Sequence, residues 1–260
     1  MDKTKKGGAS LTALRALSTL EIVAAAGSSL TVQDVADRLA VDKVTAYRML
    51  VTLEEAGYVV RNDESKRYSL SYKVVSLSRN LLAENEVSRL VLETLHELAR
   101  ATQETLHYAV LDGHETVLVK RVKGSHLVNV DFQIGDRSPL HCTSIGKALL
   151  AFQDARFIEA VIARGLQKMA PNTKTDPDDL RRELHRIRSQ GFAFDDHEFS
   201  DTMRCVAVPV FEGGGRVSSG ISISGPDSRF TLEKLDELKD HLLRASRHLS
   251  RHLGGLPWEQ

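Results

Sequence analysis

Seven side chains near the front of the chain are of the types that grip a nucleic acid. In "DKVTAYRMLVTLEEAGYV", residues 42–59, Lys43, Thr45, Tyr47 and Arg48 fill the first turns, and Leu50, Leu53 and Ala56 follow in the later ones. On a helix the first group turns outward as donors and the second inward as packing surface. Long cationic and hydroxyl side chains at one end of a helix suit the major groove, where base edges and phosphates lie within reach. Just downstream, Arg61, Lys66 and Arg67 flank the turn "NDES". Cations placed there meet the neighbouring phosphate backbone and carry no sequence information.

No comparable set exists for catalysis or metal binding. The only cysteines, Cys142 and Cys205, lie far apart, which excludes a disulfide framework and a paired zinc motif. His107, His141, Cys142, His197 and Cys205 are ligand types, but they lack the short HxxxH or CxxC spacing of a metal site. His141 and Cys142 are adjacent, so on an extended segment they point to opposite faces. That spoils a thiol–imidazole pair oriented by Asp195. "GDRSPL" and "EGGG" match no phosphate-cradling loop. No catalytic residue, metal or cofactor is expected, and the chain reads as a non-enzyme.

The chain has 260 residues, 42% hydrophobic and 27% charged, the profile of a soluble globular protein long enough for two domains. It contains no apolar run of about 18 residues and no signal core after its start. A cytoplasmic protein without a membrane partner is expected. The net charge of zero conceals an asymmetry: residues 1–80 hold twelve Lys and Arg against nine Asp and Glu, and all ten histidines lie at or beyond His96. A mildly basic front and a mildly acidic back suggest modules with different partners.

The elements that position the donors follow from caps and periods. Ser10 caps a helix whose leucines recur at Leu11, Leu14, Leu17 and Leu20, and Gly27 stops it. Thr31, with Asp34 three residues on, caps a second helix with Val32, Val35, Ala36 and Leu39 on its apolar face. The third helix begins near Lys43, so close that a helix-turn-helix crossing results. After Gly57, "YVVR" and "KRYSL" form a hairpin, completing a winged helix-turn-helix over residues 10–70. Residues 1–9 read as a disordered arm with Lys3, Lys5 and Lys6, and 255–260 as a tail. Residues 71–85 read as a linker helix whose Val74, Val75, Leu77 and Leu81 pack either on a partner chain or within the same chain.

A second domain, residues 86–254, begins with another helix, "EVSRLVLETLHELARATQ", and changes period at Thr105. "TLHYAVLD" and "ETVLVKRV" flank Gly113–His114 as a hairpin, and "HLVNVDF" reads as a third strand. Helices follow in "IGKALLAFQ", "ARFIEAVIARG" and "DPDDLRRELHRIRSQG", the last with Asp176 as cap, Pro177 at the first position and Gly191 at the end. "FAFD", "RCVAVPVF" and "RVSSGISISG" are strands, and a last helix runs from Thr231 to about Leu253. Antiparallel strands with helices gathered around them make an α+β domain.

Seven segments in this order carry a resemblance: "LRALSTLEIVA", "VTAYRMLVTLEEAGYVVRNDESKRYSL", "ETLHYAVLDGHETVLVKRV", "PLHCTSIGKALLAF", "GFAFDDHE", "RCVAVPVF" and "SISGPDSRFT". Over roughly residues 10–254 the chain resembles the IclR-type bacterial transcription regulators. The resemblance implies a homodimer or homotetramer that binds double-stranded operator DNA. It also implies a C-terminal GAF-like antiparallel sheet domain, flanked by helices, that takes a small effector, often an organic acid or aromatic metabolite. The sequence departs from the family pattern at residues 42–45, where Asp-Lys-Val-Thr replaces the usual Pro-Lys-Ser-Thr. It departs again at Met203, where glycine is frequent, and at His197, where an acid is common.

Carried across by that resemblance, the effector positions are Ser144, Ile145, Asp195, Cys205, Ser222 and Ser224. Elementary chemistry agrees with the placement. Backbone N–H groups at a helix start near Ser144, Ile145 and Gly146 suit a carboxylate. Ser222 and Ser224 share one strand face, and Asp195 can accept from a ligand hydroxyl. Pattern alone leaves alternatives: a solvent-facing strand edge for the two serines, a small buried residue for Cys205 and a turn former for Asp195. Phe132, Phe199 and Met203 nearby suit an aromatic acid, and a short keto acid fits equally. The competing reading is a ligand-binding or catalytic GAF-like protein whose N-terminal domain only oligomerises.

Overall fold

Side-chain caps frame the N-terminal unit in the computed structural model, which describes residues 9–82, 86–130 and 132–256. Ser10 caps α1 (Leu11–Ala25). Thr31 and Asp34 form a capping box on α2 (Val32–Leu39), satisfying N–H groups that a helix start leaves orphaned. Asp42 caps α3 (Lys43–Glu55), accepting from the N–H of Thr45 at 2.9 Å. Between α2 and α3, Ala40 takes a left-handed φ of 52°, which turns the chain within three residues. β1 (Val59–Arg61) and β2 (Tyr68–Leu70) pair antiparallel, and Asn62 Oδ1 shapes their turn by accepting from the N–H groups of Glu64 and Ser65. Val35, Ala36, Ala46, Leu50, Val59 and Tyr68 form the shared core. Truncating the fully buried Leu50 to alanine would cost about 2–5 kcal/mol.

One expectation fails in this unit, the inward Ala56, while α1 and the linker helix show which of their faces the core uses. Leu11, Leu14 and Leu17 are exposed. Each three-residue step advances about 300° around the helix, so the four leucines wind over half its circumference. α1 buries Thr19 and Val23 instead. Ala56 is exposed at the C-cap of α3, beyond the last turn that meets the core. In α4 (Lys73–Leu82), Val75 and Leu77 are exposed within the chain. The side chain of Leu81 and the lysines of the arm lie outside the described residues.

The chain divides into two compact units, Met1–Ala83 and Glu84–Gln260. In the second, α5 (Glu86–Thr102) leads into β3 (Thr105–Asp112) and β4 (Glu115–Val122), which pair around Gly113–His114 as expected. Then come β5 (Arg137–Pro139), α6 (Ser144–Leu150), α7 (Ala155–Ala163), α8 (Pro177–Gln190), β6 (Ala193–Asp196), β7 (Met203–Phe211), β8 (Val217–Pro226) and α9 (Leu232–His252). α8 keeps its expected punctuation, with Asp176 as cap, Pro177 in its first turn and Gly191 in the left-handed region at φ 79°. The strands make one six-stranded sheet in the order β5–β4–β3–β8–β7–β6, antiparallel throughout.

Strand alternation divides the labour of the sheet. Leu106, Val206, Val208, Ile221 and Ile223 pack in one core with Leu95 of α5 and Leu242 of α9. Ala109, Ala193 and Ala207 belong to a second core, with Leu150 of α6 and Leu180 and Ile187 of α8. Small residues let α6 lie close. A Cβ on Gly220 would come within 2.8 Å of the Val208 carbonyl, and one on Gly146 within 2.7 Å of Leu140 Cα.

Residues 126–132 do not form the third strand expected there. The outer edge of β4 is taken further on, where the Leu118 N–H donates to Asp136 O and its carbonyl accepts from the Gly135 N–H. β5 then pairs with β4 from Arg137 opposite Val117. Leu127 is fully exposed and Val128 largely so, while Phe132 turns toward His107 and Phe199. Asp131 lies outside the described residues. Among the described residues no helix is long and apolar enough to cross a membrane.

Candidate functional site

α3 is divided as its sequence suggests. Ala46, Met49, Leu50 and Leu53 are buried, while Lys43, Val44, Tyr47 and Arg48 are exposed. Thr45 is half-buried, and its hydroxyl donates to Asp42 Oδ2 at 2.6 Å. The first turn is thereby locked to its cap, and the exposed Lys43 and Arg48 stand on a rigid base. On the hairpin Lys66 is exposed, and the Arg61 guanidinium lies 5.9 Å from the Tyr68 ring centroid. Arg67 behaves differently. Its Nε donates to Ser29 O at 3.0 Å and its Nη2 lies 3.5 Å from Asp34 Oδ2, so it pins the hairpin to the start of α2.

The second site is a cavity of about 270 Å³ on the α6 side of the sheet. Ser144, Ile145, Asp195, Cys205, Ser222 and Ser224 all line it, although they come from four elements, α6, β6, β7 and β8. Register explains the convergence. Asp195 pairs with Cys205 across β6 and β7, Cys205 pairs with Ser224 of β8, and two residues away Ser222 pairs with His107 of β3. Ser222 and Ser224 are each 4% exposed, which excludes a solvent-facing edge. Gly146 does not line the cavity; its N–H is already donated to Thr143 Oγ1 at 3.0 Å. Its place in the fold is the close approach of α6 to the preceding loop.

Electrostatics set the character of the cavity. Asp195 is fully buried; its Oδ1 accepts from the N–H groups of Glu198 and Phe199 at 2.8 and 3.3 Å. Its Oδ2 has no hydrogen-bond partner within the chain. Burial pushes its pKa up to about 7, against the opposing pull of the Glu198 N–H and the Lys147 ammonium. Burial likewise raises the Cys205 thiol, reinforced by Asp195, and pushes Cys142 up to about 12. Both thiols stay protonated, which is the inert state of cysteine. Among the described residues no three His, Cys, Asp or Glu side chains converge as a metal site requires.

Two features go unread in the sequence. His107, considered there only as a metal ligand, lines the cavity at 4% exposure. Burial, with the neighbouring Arg121 cation, lowers its pKa to about 4, so the ring is neutral. The other is a buried ion cluster behind the cavity. Lys147 of α6 is bonded to Glu198, its Nζ lies 3.7 Å from Glu183 of α8, and Lys174 reaches Glu198 at 3.0 Å. The alternation of Thr105, His107 and Ala109 on one face of β3 is the signal that places His107 beside the serines.

Comparison with known proteins covers both units of the chain. The IclR helix-turn-helix domain family matches residues 12–63, and the bacterial transcriptional regulator IclR C-terminal family matches residues 79–251. The sequence is 34% identical to the HTH-type transcriptional regulator KdgR of Escherichia coli over 225 residues, 86% of this chain and 85% of that one. The crystal structure of the Thermotoga maritima IclR covers 94% of this chain and 98% of its own, with a TM-score of 0.74 and 32% identity. An IclR homologue from Microbacterium hydrocarbonoxydans, solved in complex with 4-hydroxybenzoate, has the same fold at 22% identity, with a TM-score of 0.75 over 93% of this chain and 99% of that one. The chain belongs to the IclR family of bacterial DNA-binding transcription regulators.

Proposed function

We propose that this regulator reads double-stranded operator DNA through α3 and the β1–β2 hairpin, and that a small carboxylic acid in the cavity sets its grip. Residues 10–70 would carry DNA recognition, 71–85 the connection and 86–254 the effector. A homodimer or homotetramer would present two winged helices to two half-sites. Lys43, Thr45, Tyr47 and Arg48 enter the major groove, and Lys66 and Arg61 neutralise phosphates beside it. Arg67 acts through its hold on Ser29 and Asp34.

The observation that carries the effector reading is the convergence of Ser144, Ile145, Asp195, Cys205, Ser222 and Ser224 on one cavity. The ligand carboxylate accepts from backbone N–H groups at the start of α6 and from the hydroxyls of Ser144 and Ser224, with Ser222 further along the ligand. Phe132 and Phe199, with ring centroids 6.0 Å apart, wall the cavity and favour a flat, aromatic acid. The 4-hydroxybenzoate held by the Microbacterium homologue is of that class. Such a ligand acts by its unequal affinity for DNA-competent and DNA-incompetent arrangements of the chain.

The test is the affinity of Arg48→Ala for DNA adjacent to the protein's own gene at moderate salt. The variant should bind more weakly than the parent while melting at the same temperature. Unchanged affinity would contradict the placement of α3 in the groove.

A further inference from the structure

We propose that His107 is a specificity-determining residue, whose unpartnered ring nitrogens read a hydroxyl or carbonyl group at the end of the effector remote from its carboxylate. The inference rests on the acid-binding reading above and narrows it to acids that carry a second, uncharged polar group.

The imidazole of His107 faces the cavity, with its carbon skeleton against the Phe132 ring at 5.6 Å in an edge-on arrangement. Neither Nδ1 nor Nε2 has a hydrogen-bond partner within the chain. Buried polar groups in folded proteins are almost always paired, and here the partner has to come from the cavity itself. A neutral imidazole offers one donor and one acceptor. A hydroxyl matches both roles, and a carbonyl matches the donor.

The surroundings disfavour a second anion. Ser222 lies on one side of His107 in the sheet and Arg121 on the other. The Arg121 guanidinium donates to the Phe132 carbonyl at 2.7 Å, holding the aromatic wall. Arg137 is engaged by Asp112 and Glu115, each at 2.7 Å, and Lys147 by Glu198. A second carboxylate at His107 would therefore be buried beside a neutral ring with these cations already committed.

The sheet also sets a length. Ser224 lies one strand over and two residues along from His107, about 7–8 Å away as a diagonal neighbour. An acid held near Ser144 and Ser224 reaches His107 only with a spacer of several atoms, and a benzene ring is a spacer that also meets Phe132 and Phe199.

The experiment is calorimetric titration of the full chain with benzoate, 4-hydroxybenzoate and terephthalate, using the parent, His107→Leu and His107→Gln. The parent should prefer 4-hydroxybenzoate to benzoate by about tenfold or more, the selectivity of a site that hydrogen-bonds a hydroxyl, and should bind terephthalate most weakly. His107→Leu should bind benzoate as the parent does and lose the preference, and His107→Gln should keep part of it. Without ligand, His107→Leu should melt no lower than the parent, because the ring has no bond to lose.

Equal binding of benzoate and 4-hydroxybenzoate to the parent overturns the inference and leaves the acid-binding reading intact. So does a preference that survives in His107→Leu, or a large drop in the melting temperature of that variant. Failure of all three acids to bind overturns the inference together with the aromatic-acid reading. DNA binding by the same preparation then reports separately on the regulator.

Discussion

Lys147 and Glu198 meet inside the C-terminal unit with both side chains out of solvent, the lysine wholly so. The pair joins α6, whose first residues line the cavity, to the loop that follows Asp195. Lys147→Met would leave Glu198 buried with only the partly exposed Lys174 beside it. We expect a loss of about 3–5 kcal/mol, the cost of orphaning a buried charge, read from urea unfolding. Adding Glu198→Gln should recover part of the loss. A single-variant cost under about 1 kcal/mol, the value of an exposed pair, would contradict this role.

Asp195 makes stability fall with pH. Its folded pKa, about 7, lies above the unfolded value of 3.8, so between these values the folded chain binds a proton that the unfolded chain has released. The contribution is complete below the unfolded value and is lost as pH rises through about 7, amounting to about 4 kcal/mol. Asp195→Asn keeps the oxygen that accepts from Glu198 and Phe199 and removes the titration. The variant should gain stability relative to the parent between pH 5 and pH 8. A constant difference across that range would show that the carboxyl is not desolvated.

His107 has the opposite sign. Its folded pKa, about 4, lies below the usual 6.5, so stability rises as pH increases from about 4 to 6.5, by about 3 kcal/mol at most. His107→Leu should therefore be most stable relative to the parent at the acid end. Parallel stability curves for the two proteins would contradict a buried neutral ring.

On the DNA side the cations Lys66 and Arg67 of the hairpin and Arg48 of α3 should separate. Lys66→Ala should weaken binding evenly across sequences and lower the salt slope by about one. Arg48→Ala should cost about 1–3 kcal/mol and relax sequence preference. Arg67→Ala should lower the melting temperature of the N-terminal unit, because its guanidinium is bound to Ser29 and Asp34. Salt-titrated affinities alongside melting curves distinguish them; identical effects from all three would contradict the division.

Features set by local chemistry are legible in the sequence. Thr31 with Asp34, and Asp176 with Pro177 and Gly191, mark helix ends because caps depend on neighbours only a few residues away. Most of the cavity is legible too, though chiefly through family resemblance, since nothing local brings Ser144 to Ser224. What escapes is tertiary. The leucine spacing of α1 does not say which side finds a core, and residues 126–132 alternate like a strand where Leu118 has already bonded to Gly135 and Asp136. Lys147, His107 and the committed N–H of Gly146 depend on Glu198, Ser222 and Thr143, which only the folded chain sets beside them.

The most direct test of a ligand-set DNA reader is fluorescence anisotropy of the full chain on DNA flanking its own gene. It should be run at rising salt against scrambled DNA, with and without 4-hydroxybenzoate. The native fragment should stay bound at salt that releases the scrambled one, and the acid should shift the native affinity alone. Equal, weak binding to both fragments would contradict sequence-specific recognition by α3, and an affinity indifferent to saturating acid would contradict control from the cavity by that ligand.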